Sequence, residues 1–322
     1  MKLGVLTVLY QQLPLEEALD KIAGMGAQAV ELGTGNYPGN SHADPDALLE
    51  DPSEIKALKK AVDSRGLLIS ALSQYGNPLH PDQRLASKAH DTWRKTVLLA
   101  EQLEVPVVNA FSGCPGDHEG ARFPNWVTCA WPLDFQNVLE WQWKDCVIPY
   151  WTEQAAFARD HGVRIAFEMH PGFVVYNPET LLRLRDAVGP QIGANYDPSH
   201  LFWQGIDPVE SIKQLGRADS IFHVHAKDTY LDQTNIGLNG VLDTKSYDRI
   251  LDRSWVFRTV GYGQGDKVWR DIFSALRAAD YDYVMSIEHE DSLMSIDEGL
   301  EKAIGFLNGL MIHEQPGEMW WA

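Results

Sequence analysis

Residues 164–200 read RIAFEMHPGFVVYNPETLLRLRDAVGPQIGANYDPSH. A short apolar run, Arg164 to Met169, passes through a Pro-Gly turn into an amphipathic segment, NPETLLRLRDAVG. Gly189 ends that segment before a second apolar run, Ile192 to Tyr196. Strand, helix and strand in this order make a parallel βα unit, because the helix carries the chain back to the edge where the first strand began. The alternation continues in both directions. Upstream lie the runs Leu3 to Leu9, Ala29 to Leu32, Leu68 to Ser73 and Val105 to Phe111, and downstream lie Ile221 to Ala226 and Tyr283 to Glu288. Between them, LEEALDKIAGMG sets Leu15, Ala18, Leu19 and Ile22 on one helical face and stops at Gly26. SEIKALKKAVDSRG repeats the device, with Ser53 as N-cap and Gly66 as stop.

Eight strands, each followed by a helix, close most simply into an α/β (β/α)8 TIM barrel occupying residues 1–322 as one domain. Two connections run long: Ser112 to Asn137 after strand four, and Thr229 to Asp266 after strand seven. Long structureless loops in a compact domain serve as lids or walls. The C-terminal HEQPGEMWWA carries two tryptophans, read equally as an oligomer contact or as packing onto the barrel.

The chain has 322 residues, and its 27 Lys and Arg against 45 Asp and Glu give a formal net charge of −18. Such a balance repels nucleic-acid phosphates and anionic lipid, so neither a nucleic-acid nor a membrane partner is expected. The opening MKLGVLTVLY turns polar at Gln11 and Gln12, too early for a secretory signal, and no apolar run has membrane-spanning length. Cys114, Cys129 and Cys146 are odd in number and lack metal-finger spacing, which suits a reducing cytosol. The expectation is a soluble cytoplasmic enzyme, with homo-oligomerisation open.

Active groups of a barrel project from the C-terminal ends of its strands. Glu168 and then His170 end the fifth run; Asp197 ends the sixth, with His200 just beyond. FHVHAKDT sets His223, His225 and Lys227 on one face, and VMSIEHED does the same for Ser286, Glu288 and Glu290. Taken singly, each is as well explained by a helix cap, a solvated strand end or a hydrogen-bonded histidine. Taken together, carboxylates crowded into a barrel mouth repel one another unless a cation sits among them. Glu168, Asp197, His225 and Glu288 come from four consecutive strands and can converge. Three carboxylates and one imidazole favour one divalent ion, Mn2+ first with Mg2+ or Co2+ as alternatives, over a structural zinc.

The motifs are the strand-five Glu168, the D-x-x-H of Asp197 and His200, the H-x-K-D of His225, Lys227 and Asp228, and the strand-eight Glu288. In these the chain resembles, over essentially its full length, the xylose isomerase-like TIM barrels. That family comprises sugar-phosphate isomerases and epimerases, tagatose-type ketose 3-epimerases, inosose dehydratases and type 2 apurinic endonucleases. The resemblance implies one metal held by Glu168, Asp197, His225 and Glu288, and the H-x-K-D register selects His225 over His223. It also implies a sugar epimerase or isomerase, with Glu168 and Glu288 as acid and base beside a carbonyl and a cation stabilising the enediolate. His200 then bonds a substrate oxygen, while Lys227 either supplies charge to the oxyanion or pairs with Asp228.

Other candidates are weaker. Glu31, ending the second run, can pin a substrate hydroxyl, orient His225, or cap a helix. Asn77 and His80 in SQYGNPLHP, Asn109 in the fourth run, and His170 offer donors suited to a small-molecule sugar, although the Gly and Pro are equally plain turn chemistry. Trp203, with Trp126 and Trp131, offers flat faces for pyranose stacking or ordinary loop packing. GTGNYPG has its third glycine misplaced and no helix directly after it, so no nicotinamide cofactor is expected. GYGQGDK, residues 261–267, is either a phosphate cradle near Lys267 or a turn into a helix capped by Asp266.

The same metal site serves a lyase or dehydratase acting on a keto-sugar or keto-glycoside. A type 2 apurinic endonuclease needs more ligands and a grip on DNA that a charge of −18 opposes. A non-catalytic sugar-binding barrel needs no acid/base pair.

Overall fold

The strands are β1 (Lys2–Leu6), β2 (Ala29–Asn36), β3 (Leu68–Tyr75), β4 (Val107–Ala110), β5 (Arg164–Glu168), β6 (Ile192–Tyr196), β7 (Ile221–Ala226), β8 (Asp228–Leu231), β9 (Trp255–Arg258) and β10 (Val284–Ile287). They are taken from a computed structural model that describes residues 1–314 and 317–321. Eight of them form a closed parallel barrel in the order β1-β10-β7-β6-β5-β4-β3-β2. The single-domain (β/α)8 architecture expected from the alternating runs is the one observed.

Local chemistry explains most of the boundaries. Asn177 caps the helix Pro178–Val188 reciprocally: its Oδ1 accepts from the Thr180 N–H at 2.9 Å, and Thr180 Oγ1 accepts from the Asn177 N–H at 3.2 Å. The helix before β3 is a correction. Asp51, not Ser53, is its N-cap, because Pro52 takes the first helical position, where no N–H is needed, and Asp51 Oδ1 accepts from the Ser53 N–H at 2.9 Å. β2 and β3 outrun their apolar cores because they stay paired beyond the rim, Gly35 with Gln74 and Asn36 with Tyr75. β1 is shorter than its run, since Thr7–Tyr10 coils into a 3-10 turn.

Leucine, valine and isoleucine on the outward faces of the strands pack under the helices in one continuous core. The inward faces are mostly polar above a small plug of Ala71, Val107, Ala166 and Phe222. The connection after β7 is not structureless: β8 and β9 pair antiparallel around the helix Gln233–Asn239, with Asp228 opposite Arg258 and Leu231 opposite Trp255. In the C-terminal tail, Gln315, Pro316 and Ala322 lie outside the described residues. Trp320 and Trp321 are exposed and meet each other edge to face at 5.6 Å instead of packing onto the barrel. Among the described residues no helix is long and apolar enough to cross a membrane.

Candidate metal centre at the barrel mouth

Two residues of strand rise separate successive inward layers, and the layers differ in chemistry. The deeper one is a closed hydrogen-bond network. His223 Nδ1 donates to Asn195 Oδ1 at 3.0 Å and Nε2 accepts from the Ser70 hydroxyl at 3.1 Å, so both ring nitrogens are engaged. Burial holds this imidazole neutral, its pKa lowered to about 4. Asn109 donates to Glu31 Oε1 at 3.0 Å, and Ser73 also donates to that oxygen. Glu31 in turn accepts from His225 Nε2 through both oxygens, each at 3.0 Å. Burial opposes its ionisation, but His225 holds it well below the usual carboxylate range.

Above that network the ends of β5, β6, β7 and β10 deliver Glu168, Asp197, His225 and Glu288, whose candidate ligand atoms all lie within 4.8 Å of one another. His225 Nδ1 is 3.1 Å from Glu288 Oε2 and 3.4 Å from Glu168 Oε2. His200 Nε2 donates to Glu168 Oε1 at 3.1 Å, and Asp197 Oδ1 accepts from the Ser199 N–H at 2.8 Å. Two other groups have comparable spacing, Glu31 with His223 and His225, and Glu168 with His170 and His200. In the first, Glu31 already accepts from His225 and His223 is bonded to Asn195 and Ser70; in the second, Glu168 already accepts from His200 and His170 Nδ1 donates to the Pro171 carbonyl. The four-residue set is different: Asp197 Oδ2 and His225 Nδ1 are buried with no hydrogen-bond partner. Buried polar atoms are seldom left unpaired, and a divalent cation is the compact way to satisfy an oxygen and a ring nitrogen aimed at one point. The donor set therefore fits a divalent metal, with the Glu31–His225 contact as the outer support that metal-binding histidines normally have.

The electrostatics agree. Burial pushes the Asp197 carboxyl up to about 8, with Glu168 and Glu288 adding to the rise against the pull of Lys227. Against burial, Glu31 and Glu288 hold the His225 imidazolium well above its ordinary range. Lys227 is buried yet stays charged, its ammonium 3.2 Å from Glu288 Oε2 and 2.7 Å from Glu290 Oε2. Its partner is thus not Asp228. Alternation along the chain turns Asp228 the other way, where its carboxylate accepts from the N–H groups of Thr229, Gly261 and Gln264 at 2.8–2.9 Å and from Trp269 Nε1 at 3.2 Å. This also answers the phosphate reading of GYGQGDK: the nest of backbone donors is filled by the protein's own carboxylate. Gly263 is required there, since a Cβ would sit 2.5 Å from the Thr229 carbonyl. The following helix starts at Asp266 itself, with Gly265 as N-cap.

Above the cluster opens a cavity of about 880 Å³ lined by Glu168, His170, Lys227, Glu288 and a set of aromatic side chains. Several sequence candidates lie elsewhere. Asn77 is buried, donating to the Cys114 carbonyl at 3.0 Å and accepting from the Cys114 N–H at 2.9 Å, so it pins the loop after β4. His80 Nδ1 accepts from the Asp82 N–H at 2.9 Å. Glu31 and Asn109 are sealed beneath the cluster. Trp203 is stacked on Trp255 at 4.8 Å and 5°, covered by the β8–β9 hairpin; Trp126 meets Tyr176 edge-on, and Trp131 is exposed. The aromatic walls of the cavity come largely from loops, whose path leaves no periodic signal in the sequence. Asn195, a lone amide inside the run IGANY, carried a signal that could have been used.

The family profile described as xylose isomerase-like TIM barrel matches residues 19–310. The chain belongs to the xylose isomerase-like TIM barrel family. Among curated members and relatives, it is 38% identical to the uncharacterized protein YfiH of Bacillus subtilis (strain 168), covering 94% of this chain and 97% of that one. It is 24% identical to the inosose dehydratase of Geobacillus kaustophilus (strain HTA426), over 85% and 80% of the two chains. Solved structures share the fold. A D-tagatose 3-epimerase-like protein superposes with a TM-score of 0.63 at 20% identity, covering 96% of this chain and 99% of that one. The IolI protein with a bound zinc atom gives a TM-score of 0.63 at 20% identity, over 96% of each chain.

Proposed function

We propose that this xylose isomerase-like barrel is a divalent-metal-dependent sugar epimerase or isomerase that moves a proton at a carbon beside a carbonyl. The observation that carries the reading is the pair of unpartnered buried atoms, Asp197 Oδ2 and His225 Nδ1, aimed into a cluster that also holds Glu168 and Glu288. Glu168, Asp197, His225 and Glu288 are the residues that would hold the ion. A manganese ion, which an oxygen-rich set of three carboxylates and one imidazole suits first, with magnesium or cobalt as alternatives, would polarise the carbonyl and an adjacent hydroxyl as a Lewis acid.

Glu168 and Glu288 enter the mouth from strands separated by β6 and β7, so their carboxylates can address one carbon from two sides. One removes the proton and the other returns it. His200 steadies Glu168 Oε1, and Lys227 holds Glu288 ionised against burial. A substrate seated between the aromatic walls above would complete the shielding of the transfer from water. A relative named as an inosose dehydratase favours a second reading, in which the same proton removal is followed by loss of a β-hydroxyl. NMR of keto-sugar turnover in D2O separates them. Epimerisation yields a product unchanged in mass apart from deuterium, dehydration yields loss of water, and an outcome with neither exchange nor loss of water would sink both.

A further inference from the structure

The cavity above the carboxylates, at about 880 Å³, lies toward the upper end of the ~300–1,000 Å³ that pockets for drug-sized ligands occupy, well beyond what one sugar ring fills. Its floor is polar, with Glu168, Lys227 and Glu288. Its walls are two aromatic stacks. Phe111 and Phe173 lie with centroids 4.2 Å apart at 26°, extended by Tyr75 at 4.6 Å and Tyr37 at 6.2 Å from Phe111. Tyr247 and Phe257 form the other stack, 5.8 Å apart at 17°. Tyr37 is 73% exposed and Tyr247 56% exposed, so the outer end between the stacks opens to solvent.

Charge narrows the ligand further. The lining includes no arginine among the described residues, and its lysine, Lys227, is held between Glu288 and Glu290. The backbone nest at Gly261–Gln264 is closed by Asp228. An anionic group therefore finds no unpaired lysine or arginine in the described lining, whereas a flat apolar group finds aromatic walls on both sides, the second of them carrying Lys227 over Phe257 at 4.3 Å and Arg253 over Tyr247 at 4.3 Å.

We propose, resting on the proton-transfer reading above, that the substrate is an uncharged glycoside bearing an aromatic or alicyclic aglycone, with its sugar ring on the polar floor and the aglycone between the two stacks. Because the aglycone occupies the anomeric carbon, the carbonyl that the carboxylates address is a ring ketone.

The test uses the full-length manganese-loaded protein and calorimetric titration with the ring-ketone forms of phenyl glucoside, methyl glucoside and methyl glucoside 6-phosphate. The phenyl compound is expected to bind at least tenfold more tightly than the methyl compound, and the phosphate no more tightly than the methyl compound. Tyr37→Ala and Tyr247→Ala, each checked for an unchanged far-UV circular dichroism spectrum, should remove at least threefold of the phenyl preference and leave methyl glucoside affinity unchanged. Equal phenyl and methyl affinities, a preference untouched by both substitutions, or tightest binding of the phosphate overturns the proposal. Hydrogen exchange of the same compounds in D2O keeps the two readings apart. Preference without exchange supports this substrate class while defeating proton transfer, and exchange without preference does the reverse.

Discussion

Glu31 holds His225 Nε2 with both carboxylate oxygens at 3.0 Å, which leaves Nδ1 as the nitrogen facing Glu168 and Glu288. The contact fixes the tautomer as well as the ring orientation, since Nε2 must carry the proton it donates. Glu31→Gln keeps the size but loses the charge and one acceptor, so Mn2+ affinity is expected to fall by ~10–100-fold with the far-UV circular dichroism unchanged. Competition against a fluorescent chelator measures it; unaltered affinity would show that His225 needs no support from below.

Glu168→Gln and Glu288→Gln each remove one of the two proton carriers. Each is expected to lower the rate of deuterium incorporation by ~10²–10⁴-fold, a larger loss than either causes in sugar binding measured by calorimetry. Were both variants to turn over keto-sugars at the parent rate, the barrel would be a binding module.

Asp197 and His225 make the metal-free protein pH-sensitive. The folded Asp197 carboxyl keeps its proton up to about 8 against an ordinary value of 3.8, so between those pH values the folded state binds more protons than the unfolded chain. His225, raised above its ordinary 6.5, acts with the same sign: its contribution is complete below about 6.5 and is lost as the pH rises. Below about 6.5 the buried neutral His200 and His223 oppose this trend, because the unfolded chain protonates them, so the Tm of chelator-treated protein is expected to fall from about pH 6.5 to pH 8. Manganese should restore it most at the alkaline end and release protons on binding. A flat Tm across this window in the metal-free protein would contradict the burial-driven rise at Asp197.

Asp228 ties the turn before the helix Asp266–Ala278 to the start of the hairpin. Asp228→Ala strands several buried N–H groups at once and is expected to cost about 3 kcal/mol or more, read from urea unfolding. Asp228→Asn keeps one acceptor oxygen and should cost less. Equal stability in the two variants would mean that water replaces the carboxylate in the nest.

What could be read without coordinates follows from periodicity. Alternation of apolar runs with helical patterns located all eight barrel strands, and period two along RIAFEMH, FHVHAK and VMSIEH put Glu168, His225 and Glu288 on one face. Periodicity says which face a side chain takes but not its depth. His223 and His225 share a face, yet a rise of about 6.6 Å along β7 separates a histidine locked to Asn195 and Ser70 from one that meets the carboxylates. Only strand stagger in the closed barrel decides that. Loops carry no period at all, so Asn77 turned into a pin for the Cys114 backbone and Trp203 vanished under the hairpin, while Tyr247 and Phe257 arrived from that hairpin to wall the cavity. The sequence by itself determined the barrel and the acidic ends of its strands, because both are written in local hydrophobic pattern. The H-x-K-D resemblance picked out His225 without a physical reason; tertiary packing supplied that reason, chose among the roles open to Glu31 and decided what kind of surface covers the cluster, because those depend on contacts between segments far apart in the chain.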